Sequence, residues 1–176
     1  MRHIRHVTSR SLVTVTTAVV ALWSSAGAAQ GSSTTSSAAA PAASASPDYH
    51  PSLGDLMTMA VQPRHIKLGL AGQERNWPYA QYELSELRNA FARVGRTIPV
   101  YRTIDMAAVI GALTTDPLKA VEQAIHAQDA RQFKVAYAAL TTACNACHLS
   151  QDHAAVVIRV PSANPYPDQD FRLPLP

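Results

Sequence analysis

Cysteine is nearly missing from this chain of 176 residues: Cys144 and Cys147 are the only two, and both lie in one short segment. A framework of several disulfides is thereby excluded. No stretch reaches the ~20 consecutive apolar residues that carry a helix across a bilayer. The longest apolar run, Leu12 to Trp23, is preceded by Arg2, Arg5 and Arg10 with no acid among them, and is followed by small residues through Ala29. That order predicts a cleaved secretory signal peptide over 1–29, cut after Ala26-Gly27-Ala28 or after Gly27-Ala28-Ala29, because the peptidase needs small side chains there. With no cysteine near the cut, a lipid-modified N-terminus is not indicated.

Excess charge is lacking too. The formal charge of +3 is accounted for by the three leader arginines, so the remainder is balanced and gives no ground for binding nucleic acid or an anionic membrane. Residues 30–48 are nearly all Ser, Thr, Ala, Gly and Pro, with too little apolar surface to offset their ordering entropy, and read as a flexible linker. No internal repeat follows. A single domain is expected over 49–153, with an irregular, proline-rich tail over 154–176 that lies against it.

What is present between Ser52 and Ser150 is helical periodicity. The first segment opens at Ser52 as N-cap and carries Leu53, Leu56, Met57, Ala60, Leu68 and Leu70; Pro63 inside it predicts a kink or a break. The second carries Ala80, Leu84, Leu87, Phe91 and Val94 at steps of three and four, ending near Gly95. The third has Met106, Ile110 and Leu113, then Asp116-Pro117, which resembles an N-cap with proline at the first helical position, then Leu118, Val121 and Ile125. One kinked helix or two short ones both fit. The fourth opens at Asp129 and sets Phe133, Tyr137, Leu140, Cys144, Cys147 and His148 along one face. Four such helices with short connections predict an all-α antiparallel four-helix bundle, a fold that builds cofactor sites in its core.

The chemistry lies in Cys144-Asn145-Ala146-Cys147-His148. Two thiols three positions apart can add to the two vinyl groups of a porphyrin, and the adjacent imidazole can then reach the iron; the pattern reads as a c-type haem attachment site. A disulfide between the two cysteines would close a small strained loop within a helix. A thioredoxin-like pair belongs at a helix start after a strand, where the dipole lowers a thiol pKa, and none is predicted here. Zinc would need Cys144, Cys147, His148 and His153, of which two are adjacent and awkward as tetrahedral partners.

An export signal, four helices and a Cys-x-x-Cys-His segment near the C-terminus resemble the cytochrome c′ family, the class II c-type cytochromes, over residues 52–150. The resemblance implies one covalent haem c on the last helix through Cys144 and Cys147, with His148 as proximal iron ligand. It further implies a distal side on the first helix, where the residue facing the iron is either apolar or a ligating methionine. Leu56-Met57-Thr58-Met59 resembles that stretch, and Met57 falls where the distal residue belongs; its plainer reading is a core methionine. Met59 lies roughly 200° away around the helix and is the weaker choice. His65, beyond Pro63, either reaches the haem or is a surface or capping residue. His50, His126 and His153 read as surface residues, and Arg131 and Lys134 as solvated side chains. Pro63 and the long tail depart from the family pattern.

The expected function is electron transfer in the periplasm with redox proteins as partners, without stable membrane insertion and without enzymatic turnover. The alternative is a five-coordinate haem that binds nitric oxide or carbon monoxide. Peroxide chemistry is disfavoured because no distal His and Arg pair is visible. A homodimer is compatible with the resemblance.

Overall fold

The structure, a computed structural model, describes residues 48–174. The expected signal peptide and residues 30–47 of the expected linker lie outside the described residues. Ser52 opens the first helix with a capping box: its hydroxyl accepts from the Asp55 amide at 3.1 Å, and the Asp55 carboxylate accepts from the Ser52 amide at 2.9 Å. Helix α1 (Leu53–Leu56), a π-helical turn (Met57–Val61) and α2 (Gln62–Gln73) then follow without a break. Pro63 therefore does not interrupt the helix. In an α-helical ladder its ring would press on the carbonyl four residues back, that of Met59. Just ahead of it, the Gln62 amide reaches five residues back to the Met57 carbonyl, and this wider turn shifts the ladder where the proline enters.

Helix α3 (Trp77–Thr97) starts at Asn76, whose side chain accepts from the Tyr79 amide, and runs past Gly95, where an end was expected. A Cβ at Gly95 would lie 3.2 Å from the Ala107 Cβ, so this glycine marks a close helix contact and not a helix stop. A small antiparallel hairpin follows, unanticipated from sequence, with β1 (Val100–Tyr101) paired to β2 (Ile104–Asp105). Its turn holds Arg102 at φ 55°, in the left-handed region.

Helix α4 (Met106–His126) is one helix, capped by Asp105 through the Ala108 amide at 2.9 Å. The reading of Asp116-Pro117 as a helix start is thereby corrected, since Pro117 lies inside α4. An interior proline costs about 3 kcal/mol, and burial on both sides of it, Met106 and Ile110 before, Val121, Ala124 and Ile125 after, opposes that cost. Helix α5 (Ala130–Ser150) begins at Asp129, which accepts from the Arg131 and Gln132 amides, as expected.

Helix α3 runs opposite to α4, and α2 runs opposite to α5. Arg64 of α2 pairs with Glu83 of α3 after a short turn, and Arg88 of α3 pairs with Glu122 of α4 while Gly95 meets Ala107. Between α2 and α5 the pairs are His65 with Thr141, Gly69 with Tyr137 and Gly72 with Phe133. The protein is thus mostly helical, in agreement with the all-α expectation, and among the described residues no helix is long and apolar enough to cross a membrane.

Gly69 and Gly72 let α2 and α5 approach closely. The Phe133 ring occupies the space that a Cβ at Gly72 would need, and the Tyr137 phenol and the Pro161 ring crowd Gly69. Phe133 is 2% exposed and stacks on Tyr137, with Trp77 against its edge, so it cannot yield freely. Gly72→Ala is expected to destabilise the protein by about 1–3 kcal/mol through overpacking, read as a lowered denaturation midpoint. An unchanged midpoint would mean that the two helices separate without cost.

Past Ser150 the described chain has no helix or strand, yet it is held at several points. Gln73 donates to the Pro161 carbonyl at 3.0 Å, Asn76 donates to the Arg172 carbonyl at 3.2 Å, and Phe171 is buried against Tyr79.

Candidate functional site

The π turn, α2, α3, α4, α5 and the tail all contribute to one cavity. Met57, Thr58 and Val61 come from the π turn, Gln62 and His65 from α2, and Phe91 from α3. Ile110, Leu113 and Thr114 come from α4, Ala143, Cys144, Cys147 and His148 from α5, and Val156 and Ile158 from the tail. Its empty volume is about 770 Å³, part of it open to solvent.

The lower half of α5 is anchored by Phe133, Tyr137 and Leu140, all buried, whereas Cys144, Cys147 and His148 on the continuing stripe are only half-buried. The stripe changes from core to cavity wall at that point. Both thiols are free. Burial first, then the neighbouring Cys147, pushes the Cys144 thiol up to about 11, and burial raises Cys147 as well. These are protonated thiols at neutral pH, the opposite of the depressed thiol a thioredoxin-like pair requires. Among the described residues no group of three or more His, Cys, Asp or Glu side chains is arranged to hold a metal ion, and His153 instead faces the Tyr101 hydroxyl.

His148 donates from Nδ1 to the Val156 carbonyl at 2.6 Å. A carbonyl has no proton to give, so Nδ1 carries the hydrogen and, in the neutral ring, Nε2 keeps its lone pair. Met57 lies on the wall of the same cavity as Cys144, Cys147 and His148, while Met59 is 61% exposed and lines no part of it. The π turn that begins at Met57 belongs to a class of helix irregularity often found at functional sites.

His65 is neither a surface nor a capping residue: it is 3% exposed and both ring nitrogens have partners. The Tyr137 hydroxyl has one proton, which it donates to the His65 carbonyl at 2.7 Å, so it accepts from Nδ1 at 3.0 Å. Nε2 lies 3.1 Å from the Thr141 hydroxyl, whose one proton is shared between that nitrogen and the Tyr137 carbonyl at 2.9 Å. Burial pulls the imidazole down to about 4, which keeps it neutral, and its engaged nitrogens remove it from the contest for a ligand position. His50 and His126 are exposed, as are Arg131 and Lys134.

Three contributors were not singled out from sequence: the Val156 carbonyl, Asn145 and the His65–Tyr137–Thr141 network. The only signal for the first two was a polar residue between the cysteines and a β-branched run, Val156-Val157-Ile158, after the helix. No family model, curated protein or solved structure matches the chain.

Proposed function

We propose that the protein is an exported monohaem c-type cytochrome that transfers electrons, built as the antiparallel four-helix bundle of the class II cytochromes. The observation that carries this reading is the convergence of Cys144, Cys147, His148 and Met57 on one largely apolar cavity. The residues fit the group. Cys144 and Cys147 would hold haem c by two thioethers, His148 would bind iron through Nε2, and Met57 would be the sixth ligand. Thiols that burial keeps protonated do not suit a redox pair.

The bound group supplies one-electron iron chemistry. The protein's own part is to fix the ligands and exclude water. The Val156 carbonyl orients the His148 ring and sets its tautomer, leaving the Nε2 lone pair for a metal. Phe91, Ile110, Leu113, Val61 and Ile158 give the cavity an apolar wall, which lowers the local dielectric and shields the site from water. Residues 1–29 as an export signal would bring the chain to the periplasm, and redox proteins would be its partners.

A second reading, a haem that binds nitric oxide or carbon monoxide, is favoured by that same apolar wall if Met57 serves only as packing. Absorption spectra of the loaded protein, oxidised and reduced, with and without carbon monoxide, test both. Low-spin spectra that carbon monoxide changes slowly support electron transfer; a high-spin spectrum with rapid binding supports the gas reading. Absence of any haem absorption would overturn both.

A further inference from the structure

Asn145 is one of the two residues between the cysteines. Asn145 makes two hydrogen bonds to one distant residue: its amide nitrogen donates to the Ile158 carbonyl at 2.9 Å, and its amide oxygen accepts from the Ile158 N–H at 2.8 Å. A side-chain amide that engages both backbone groups of one residue replaces a strand partner for a segment that has none. Two residues earlier in that segment is Val156, whose carbonyl takes the His148 Nδ1–H, and the Val156 amide in turn donates to the His153 carbonyl. The far end of the tail is fixed independently by Pro161 and Phe171.

We propose that Asn145 is a positioning residue: by clamping Ile158 it holds the Val156 carbonyl against His148 and so imposes the tautomer whose Nε2 can bind a metal. This deepens the reading of His148 as an iron ligand and rests on it. The helix alone does not supply this partner, because the backbone carbonyls near His148 are already used by the turn that ends α5. The tail is therefore part of the site and not an appendage. A second consequence follows for the loaded protein: an imidazole that gives its Nδ1 proton to a carbonyl is a stronger donor to iron and favours the ferric state.

The test is the nitrogen NMR spectrum of His148 in cofactor-free protein at pH 8, with Asn145→Leu beside the wild type. The wild type is expected in the Nδ1–H form, and Asn145→Leu is expected to move His148 towards Nε2–H; in loaded protein the same change raises the midpoint potential. A wild-type ring in the Nε2–H form, or an unchanged tautomer in a folded Asn145→Leu, would overturn the proposal. Should that variant not fold, amide exchange in the wild type decides: Ile158 is expected to exchange at least about tenfold more slowly than an open amide, and exchange at the open rate excludes the clamp. The tautomer does not depend on haem, so polypeptide that never acquires the cofactor would sink the ligand reading while leaving the clamp measurable.

Discussion

Between pH 6.5 and pH 4 the cofactor-free protein is expected to lose about 3 kcal/mol of stability through one side chain, His65. In the unfolded chain this imidazole protonates near 6.5, whereas in the fold burial holds it down to about 4. The unfolded state therefore binds the proton first as pH falls. The contribution is intact above 6.5, declines steadily below it, and is exhausted once the native ring also protonates. Denaturant titrations at a series of pH values read this directly. Paired carboxylates, such as Glu122 held down by Arg88, act in a lower window, because unfolded carboxylates titrate near ~4. His65→Gln should flatten the curve between the two limits; an equally steep decline in that variant would mean that another group is responsible.

Met57→Ala carries the second large effect. With Met57 as sixth ligand, the oxidised, loaded protein is low-spin with a sulfur-to-iron charge-transfer band, and the substitution is expected to abolish that band completely and to leave the iron high-spin. The potential should also fall, since a thioether ligand favours ferrous iron. Met57 is half-buried, so its truncation should cost less than the about 2 kcal/mol at the lower end for core methionines, and the spectral change would not be a symptom of unfolding. Met59→Ala, at an exposed position on the same turn, is the matched control and should change neither property. A high-spin wild type would remove Met57 from the iron and favour the gas-binding reading.

The parts of the fold that were legible in the sequence were those governed by local chemistry. Ser52 and Asp129 cap helices because their side-chain oxygens satisfy the exposed amides of a first turn, and that depends on a few adjacent residues. The stripe from Ala80 to Val94 is buried as its spacing requires, apart from the half-buried Phe91, which lines the cavity. Prolines were harder. Pro63 is absorbed by a π turn and Pro117 by burial along α4, and both outcomes are set by packing at a distance that no local rule contains. Gly95 misled for the same reason: it permits contact with Ala107 instead of ending its helix.

At the candidate site, Cys144, Cys147 and His148 were singled out because their spacing is what haem attachment would require, and the fold sets all three on one cavity wall. Met57 could be named from its position on a helical face, and the fold brings it to the same cavity. The partner of His148 is a backbone carbonyl, and a backbone atom leaves no mark in a sequence. Asn145 and Ile158 are thirteen positions apart across a turn and a segment that is neither helix nor strand, so no helical or strand period links them. His65 appeared as a lone histidine since its partners, Tyr137 and Thr141, lie on another helix.

The account depends most on covalent attachment of one haem at Cys144 and Cys147. Mass spectrometry of protein matured in a host that ligates haem tests it directly. The expected result is the polypeptide plus a single haem, reverting to polypeptide alone when both cysteines are replaced by alanine. Wild-type material at the bare polypeptide mass would contradict it.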